Sequence, residues 1–175
     1  MPSSCEMGSV SKLQEHAAAL RLGEDGRLYQ RGVKQYPNKD VYTGDLVDGK
    51  RHGSGTHVFA NGDRYIGQFE DNLMHGKGLM AWAPFEQDRK QYRGRRYEGE
   101  FRYGKMHGKG ELHVGDGCFY KGQFEKGQFS GKGVLTTAEG DVYTGCFKYG
   151  KLFGEGEARY ANGDVYRGEF LGGKY

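Results

Sequence analysis

The sequence has few of the residues that stabilise many secreted or membrane-spanning proteins. Its three cysteines, Cys5, Cys118 and Cys146, are odd in number and scattered along 175 residues, so they indicate neither a disulfide framework nor a zinc-ligand spacing. This cysteine usage favours a reducing compartment. The sequence also lacks a run of about 18 apolar residues and a charged-then-apolar leader. We therefore expect a cytoplasmic protein without a membrane span.

Proline is as scarce, with three residues, whereas glycine is abundant, with 32. Glycine does not recur at every third position as collagen requires, and 13 Tyr and 10 Phe are too many for a flexible linker. Hydrophobic residues make up only 35 % of the chain, which favours a thin array of units that pack on their neighbours. The formal net charge of +3 is close to balance, so nucleic acid is not an expected partner.

Internal repetition dominates what is present. A Tyr-x-Gly motif recurs at spacings of 23, 32, 23, 23 and 23 residues. With the Tyr as position 1, position 5 is Phe in all copies but the first, which has Leu46, and positions 12 and 14 form a Gly-x-Gly. An Asn-Gly or a similar pair closes most units. The motifs begin at Tyr42, Tyr65, Tyr97, Tyr120, Tyr143 and Tyr166.

Each unit predicts one antiparallel hairpin. Positions 1 to 5 and 12 to 18 alternate with a period of two, which is typical of strands, and the Gly-containing pairs suit tight turns. The glycines lie on the aromatic face, where we expect them to leave room for Tyr and Phe rings. A glycine costs a strand about 0.5–1 kcal/mol, and burial of a ring at about 1.5–3 kcal/mol can offset this. The expected fold is all-β, an elongated single-layer antiparallel sheet of stacked hairpins.

The repeats divide the chain into two parts. Residues 1–23 match nothing in the repeat, and a capping-box pattern at Ser11 and Gln14 with apolar residues at helical spacing predicts a short amphipathic helix there. The array occupies 24–175. It comprises a degenerate cap at 24–41, repeats at 42–64, 65–96, 97–119, 120–142 and 143–165, and a half-repeat at 166–175. The half-repeat leaves an edge strand open, which is compatible with self-association or with a longer natural chain.

The motifs Tyr-x-Gly-x-Phe, Gly-x-x-His-Gly-x-Gly and a closing Asn-Gly or Asp-Gly, at a 23-residue step, resemble the MORN (membrane occupation and recognition nexus) repeat family. The resemblance covers about 42–175. It implies a curved or twisted single-layer sheet of hairpins, and a scaffolding role in cilia, the basal cytoskeleton or membrane junctions, or as a module fused to an enzyme. The chain departs from the pattern at Ser130 and Phe153, which replace His, and in a nine-residue excess between Trp82 and Tyr97.

No constellation of residues indicates catalysis, a metal or a cofactor. The equivalent residues His52, His75 and His107 are about 10 Å apart from one hairpin to the next, whereas zinc ligands lie at about 2.0–2.3 Å from one ion. The Gly-Lys-Gly segments lack the Ser or Thr and the helix of a phosphate-binding loop. We therefore expect a protein that is not an enzyme and that binds no cofactor.

Two sets of residues are candidates for binding. Aromatic side chains left exposed on the sheet would supply the energy for binding a protein partner, such as a helix or an axonemal or other cytoskeletal complex, although the same residues also build the fold. These are Tyr42, Phe69, Tyr97, Phe101, Tyr120, Phe124, Tyr143 and Phe147. The second set is a basic loop in the inserted segment, and it is interpreted either as a docking patch for an acidic protein or anionic lipid, or as a solvated extension. Its cations are Arg89, Lys90, Arg93, Arg95 and Arg96.

The first functional hypothesis is a scaffold for protein–protein interaction, most consistent with a cytoskeletal, ciliary or axonemal component. One alternative is a peripheral membrane or phosphoinositide-binding module that acts through the basic loop. Another is a regulatory repeat module of a larger enzyme.

Overall fold

The computed structural model describes residues 20–87, 90–92, 94–115 and 117–172. Within these residues all regular elements are β-strands. The helix expected in residues 1–23 falls almost entirely outside the described residues, so the structure gives it no support.

The described strands form one open antiparallel sheet of thirteen strands and a separate two-stranded hairpin. They are β1 (Arg21–Leu22), β2 (Leu28–Gln35), β3 (Val41–Val47), β4 (Lys50–Val58), β5 (Arg64–Glu70), β6 (Leu73–Ala81), β7 (Phe85–Gln87), β8 (Lys90–Tyr92), β9 (Arg96–Arg102), β10 (Lys105–Val114), β11 (Cys118–Glu125), β12 (Gln128–Thr136), β13 (Val142–Lys148), β14 (Lys151–Arg159) and β15 (Val165–Phe170). Each strand of the sheet pairs with its neighbours in the chain, except that β6 pairs with β9 across the small hairpin β7–β8. The insertion therefore leaves the order of the sheet unchanged.

Each repeat folds back on itself through a two-residue turn at positions 7 and 8. Both residues have positive φ, for example 49° at Asp48 and 74° at Gly49, as a type I′ turn requires. The turn also contacts the preceding repeat, since the Gly104 N–H donates to the Met74 carbonyl at 2.9 Å. The turns therefore join successive hairpins as well as closing them.

The closing pair Asn61-Gly62 lies in a tight turn, as the sequence predicts, within a three-residue loop between β4 and β5. The Phe59 N–H donates to the Asp63 carbonyl, and the Gly62 N–H donates to the Phe59 carbonyl, both at 2.9 Å. Gly62 has a φ of 88°, so the loop is a type I turn followed by a left-handed glycine. Asp63 Oδ1 then accepts the N–H of Ala83 in the next loop at 2.8 Å. This hydrogen bond joins successive loops on the side of the sheet opposite the two-residue turns.

A row of glycines crosses the sheet from β2 to β15. In every pair of adjacent strands along this stretch, a glycine of one strand faces a glycine of the other. The row consists of Gly32, Gly44, Gly55, Gly67, Gly78, Gly99, Gly110, Gly122, Gly133, Gly145, Gly156 and Gly168. These are positions 3 and 14 of successive repeats, so the sequence motif becomes a continuous line without side chains.

The tyrosine at position 1 lies over two glycines of this row. A Cβ added to Gly110 would be 2.5 Å from the Tyr97 hydroxyl oxygen and 2.6 Å from the ring carbons Cε2 and Cζ. The hydroxyl donates to the Glu100 carbonyl at 2.8 Å, so the polar end of the buried ring is satisfied. Burial raises the pKa of Tyr42 and of Tyr120 in the same arrangement to about 12.

The tyrosines and the phenylalanines at position 5 form a chain of edge-to-face contacts. The Tyr97 ring meets Phe101 of its own repeat at a centroid distance of 5.0 Å and Phe124 of the next repeat at 4.9 Å, with interplanar angles of 87° and 79°. Such pairs contribute about 0.5–1.5 kcal/mol beyond area burial. The continuous chain runs through Tyr42, Phe69, Tyr65, Phe101, Tyr97, Phe124, Tyr120 and Phe147.

The second strand of each repeat bulges beside the glycine row. Glu100 pairs with His107 in β9 and β10, and the register shifts so that Gly108 and Lys109 fall between the paired residues. Gly108 has a φ of 57°, which glycine adopts without steric cost. The Lys109 N–H donates to Glu100 Oε1 at 3.0 Å, so a position-4 side chain replaces the missing strand partner.

The fifth repeat differs in its tyrosine. Leu152 is buried, and its Cδ1 lies 2.9 Å from a Cβ added to Gly145, where the other repeats have their own tyrosine ring. Tyr143 is only partly buried, and its ring contacts Tyr160 at 6.3 Å. The motif Tyr-x-Gly therefore does not fix the ring position when the side chain at position 10 takes the same space.

The glycine row gives a direct prediction for stability. Gly110→Ala places a methyl group inside the volume of the Tyr97 ring, so we expect a loss of about 1–3 kcal/mol of unfolding free energy from overpacking. Urea denaturation followed by circular dichroism measures this loss. Gly104→Asn is the matched control, because a Cβ at Gly104 meets no atom within 4 Å and Asn72 occupies the equivalent turn position. Equal stability of the two variants would contradict the packing role of the row.

Candidate functional site: the turn edge and the first repeat

The candidate aromatic residues are mostly core residues. Seven of the eight are only 0–4 % exposed, and Tyr143 is partly buried. The expectation that these rings lie exposed on the sheet is therefore corrected, because each is covered by the next ring of the edge-to-face chain. The buried residues are Tyr42, Phe69, Tyr97, Phe101, Tyr120, Phe124 and Phe147. Their contribution to the fold is direct, and a partner finds almost no surface on them.

The basic loop is a small hairpin of which only part is described. Arg89 and Arg93 lie outside the described residues, and Lys90 is described as a backbone position of β8. Arg95 and Arg96 are exposed. The Arg95 guanidinium lies over the Trp82 ring at 4.7 Å from its centroid, and Arg96 pairs with Glu98. Docking of an acidic protein or lipid at this loop stays a prediction.

Exposed aromatic side chains lie instead along the turn edge, which we define as the side of the sheet formed by positions 7 to 11 of the repeats. Tyr103 is 64 % exposed, Tyr149 is 77 % exposed and Phe153 is 46 % exposed. Tyr103 and Tyr149 occupy the first residue of the type I′ turn, with φ of 49° and 50°. A bulky residue rarely adopts positive φ, so these side chains stand at a position that the fold does not favour for them.

Cations accompany the exposed rings. Lys148 Nζ lies 5.7 Å from the centroids of both Tyr149 and Phe153, and the Arg102 guanidinium carbon lies 5.6 Å from the centroid of Tyr103. Cation–π pairs at exposed sites contribute about 0.5–1 kcal/mol. A shallow cleft of about 380 Å³ lies between two turns beside them. Its lining is Glu125, Lys126, Gln128, Phe129, Ser130, Lys148 and Tyr149.

The comparison of repeats contains the signal that identifies these residues. Position 7 is Asp48, Asp71 and Lys126 in three repeats but Tyr103 and Tyr149 in the other two. An exposed turn position needs no ring for packing, so an aromatic residue there indicates another role. The expectation from sequence concentrated on the regular aromatics and therefore missed the irregular ones.

The face of the sheet opposite the rings carries several ion pairs. Lys121 Nζ lies 2.7 Å from Glu111 Oε1, and this hydrogen bond lowers the pKa of Glu111. At the far end, Arg167 and Arg159 both pair with Glu157 and lower its pKa. Because these groups neutralise one another at the exposed surface, they contribute little to stability and do not define a charged site.

The first repeat contains a polar network where the other repeats have apolar residues. His57 is 4 % exposed at the position of Met80 in the second repeat. Its Nε2 lies 3.2 Å from Asp40 Oδ2, and the Arg51 guanidinium lies within hydrogen-bond distance of its Nδ1. The neutral tautomer that donates from Nε2 and accepts at Nδ1 satisfies both contacts. Burial first, and then the charge of Arg51, lower the pKa of His57.

No metal site accompanies these histidines in the described part of the chain, where no group of three or more His, Cys, Asp and Glu is arranged to hold an ion. His75 Nδ1 instead lies 3.1 Å from Glu70 Oε2 in its own hairpin. Among the described residues, no helix is long and apolar enough to cross a membrane.

The His57 network predicts a stability that depends on pH. The folded-state pKa lies below the unfolded value of 6.5, so the unfolded chain takes up the proton first as the pH falls. The contribution of neutral His57 is present above about pH 6.5 and is lost as the pH falls through the folded-state pKa. Urea titrations at about pH 7.5 and about pH 5 measure this loss, which His57→Met should reduce. An identical loss in both proteins would contradict the assignment.

Comparison with known proteins identifies the same repeats. The family description "MORN repeat" matches residues 42–64, 65–84, 97–119, 120–142 and 143–165, which together make up more than half of the chain. Among solved structures, the chain is similar to the SAS-4 (dCPAP) TCP domain of Drosophila melanogaster, solved in complex with a proline-rich motif of Ana2 (dSTIL). That likeness has 12 % identity and a TM-score of 0.37 over 97 % of this chain and 99 % of that chain. A comparison with curated proteins finds no match. The chain belongs to the MORN repeat family, whose repeats form protein-interaction or membrane-binding modules.

Proposed function

We propose that this chain is a non-enzymatic scaffold that binds protein partners along its turn edge. The observation that carries the proposal is the exposure of Tyr103, Tyr149 and Phe153 at positions where other repeats have polar residues such as Asp48 and His75. The aromatic side chains that recur at positions 1 and 5 are mostly buried in the core. Tyr103, Tyr149 and Phe153 do not recur in every repeat, and their exposed rings are available to a partner.

Energetics support the turn edge as a binding surface. A strained backbone position costs about 1–3 kcal/mol, and Tyr149 has a φ of 50° without burying its ring in the protein. Tyrosine is enriched among residues that dominate binding energy, because it combines a large apolar ring with a hydroxyl. Burial of the Tyr149 and Phe153 rings against a partner would offset the local cost.

The regular spacing of the turns supports an extended partner. Equivalent turns recur every two strands, about 10 Å apart, so the turn edge suits a long helix or a periodic assembly. Within the proposal, the partner is an axonemal or other cytoskeletal complex, and the protein acts in the cytoplasm at the cytoskeleton or in a cilium or flagellum.

The variant Tyr149→Asp with Phe153→His tests this surface. Both replacements occur naturally at the same positions of other repeats, as Asp48 and His75, so the fold should tolerate them. We expect the recovery of protein partners to fall at least about tenfold, since two exposed rings carry hot-spot energies of about 2 kcal/mol each. Affinity purification from the native cell, quantified by mass spectrometry, measures the recovery.

Ile66→Thr is the control for an exposed apolar residue elsewhere. Ile66 is 40 % exposed on the opposite face, and Thr43 occupies its position in the first repeat, so partner recovery should not change. If the double variant retained its partners while it remained folded, the turn edge would not be the binding surface.

Peripheral binding to anionic lipid is the second candidate function. The exposed residues Arg95 and Arg96 lie together at the base of the inserted hairpin, and Arg95 lies over Trp82. Clustered cations beside an indole ring are typical of interfacial binding, with about 1 kcal/mol for each cation near an anionic surface.

Reversal of charge at the basic loop tests the lipid alternative. We expect Arg93→Glu with Arg95→Glu and Arg96→Glu to abolish co-sedimentation with phosphatidylserine vesicles, because attraction to anionic lipid depends on these cations. The control reverses three exposed cations of the turn edge, Lys105, Lys126 and Lys151, for the same change in net charge. Equal binding of both variants, or no binding by the wild type, would exclude this function.

A further inference from the structure

The first repeat contributes to a cavity with a polar lining, and the positions of Arg51 and His57 in that lining are apolar in the later repeats. It has a volume of about 350 Å³ and borders the turn edge at Gly104, next to Tyr103. Apolar walls come from Phe59, Phe69, Leu73 and Met74. Polar groups also line it, namely Tyr36, Asn38, Asp40, Arg51, His57 and Asn72.

Arg51 is a cation at an otherwise apolar position. The equivalent residues of later repeats are Met74, Met106, Phe129 and Leu152. Its guanidinium carbon lies 5.6 Å from the ring centroids of both Tyr36 and Phe69, and its Nη2 donates to the Asn72 carbonyl at 2.8 Å. No Asp or Glu among the described residues is within ion-pair distance of it. A half-buried guanidinium without a carboxylate is costly unless a ligand completes its coordination.

Two donors of the cavity have no acceptor within the described part of the chain. Arg51 Nε and the Tyr36 hydroxyl are both buried, and neither donates to a described residue. Buried polar groups are nearly always paired in native proteins, so an acceptor that entered the cavity would find two donors to pair with. An acceptor that reached both would also approach the positive guanidinium.

We propose that this cavity receives the carboxylate of an aspartate or glutamate side chain from a partner polypeptide. The inference rests on the proposed protein-binding function and names a determinant of partner choice. The four apolar walls accommodate the aliphatic stem, while Arg51 and Tyr36 hold the carboxylate. A carboxylate bound beside Arg51 would supply the ion-pair partner of its guanidinium and the hydrogen-bond acceptor of its Nε.

The charges around the cavity favour a carboxylate over a phosphate. Arg51 supplies one positive charge, Asp40 supplies one negative charge, and His57 is neutral in the tautomer that both contacts require. Because these two charges cancel, a dianionic phosphate would leave two uncompensated negative charges in the cavity, whereas a single carboxylate beside Arg51 would leave only one. Apolar walls also suit a ligand whose only charge is at its end.

The test uses the Nε–Hε signal of Arg51 in nitrogen-15 NMR spectra of the full chain. The probe is the peptide acetyl-Leu-Glu-Leu-amide, titrated to about 10 mM, and Arg51→Met assigns the signal. We expect a saturable shift of this signal with a dissociation constant of about 1 mM or below. The same peptide with Gln in place of Glu should bind at least about tenfold more weakly, because it removes the charge and keeps the shape.

Each outcome decides the proposal. Saturable binding that requires Glu supports it. Weaker binding of the Glu peptide to a folded Arg51→Met variant supports it further, and it is followed through the backbone amide signals because this variant lacks the Arg51 signal. No shift of the Arg51 signal with the Glu peptide, or equal binding of the Gln peptide, would overturn it. A response only to a third peptide, with phosphoserine in place of Glu, would also overturn it. The comparison of the Glu and Gln peptides uses only the wild-type chain, so it does not depend on whether a variant folds. If the peptide fails while Tyr149→Asp with Phe153→His still abolishes partner recovery, the scaffold function stands and only the carboxylate site is lost.

Discussion

The structure depends on a tyrosine ring that lies flat over two paired glycines. A side chain at either glycine would occupy the volume of the ring, as the 2.5–2.6 Å separations at Gly110 show. Because the glycines face each other in the strand pairs from β2 to β15, a ring that lies over such a pair bridges two strands at once. Its edge-to-face contacts with Phe of its own and of the next repeat then connect the hairpins. A thin sheet with a modest apolar content can therefore build a continuous core on one face.

The sequence predicts this part well, for a physical reason. The 23-residue period repeats the same packing problem, so the positions of Tyr97, Gly99 and Gly110 are constrained in the same way in each copy. A period of two identifies the strands. A glycine at a core position indicates that another side chain, here a tyrosine ring, packs closely against the backbone. The family match at five segments and the single antiparallel sheet agree with that prediction.

Other features were not accessible from the pattern. The pair Asn61-Gly62 fits both a two-residue turn and a three-residue loop, and only the register of the strands selects the loop. Tyr143 has the motif of its relatives, but Leu152 takes its space, which depends on contacts between distant positions. The candidate aromatic residues build the core of the sheet. The exposed residues Tyr103 and Tyr149 lie in turns, so the alternation of residues along the strands does not predict them.

Individual function therefore lies where the repeats differ from one another. The turn edge, the inserted hairpin and the polar cavity of the first repeat all use positions that the common core leaves free. Arg51 occurs where later repeats have Met or another apolar residue, and Tyr149 occurs where the first has Asp48. Selection on such positions can change the partner without changing the sheet.

The coupling of neighbouring hairpins through their rings is tested most directly by a double-mutant cycle. Unfolding free energies are measured for Tyr97→Leu, for Phe124→Leu and for the two together, with the distant pair Tyr42→Leu and Phe147→Leu as the reference cycle. We predict a coupling of about 0.5–1.5 kcal/mol between Tyr97 and Phe124 and additivity within about 0.5 kcal/mol for the distant pair. Additivity of Tyr97 with Phe124 would contradict the account that these contacts hold the repeats together.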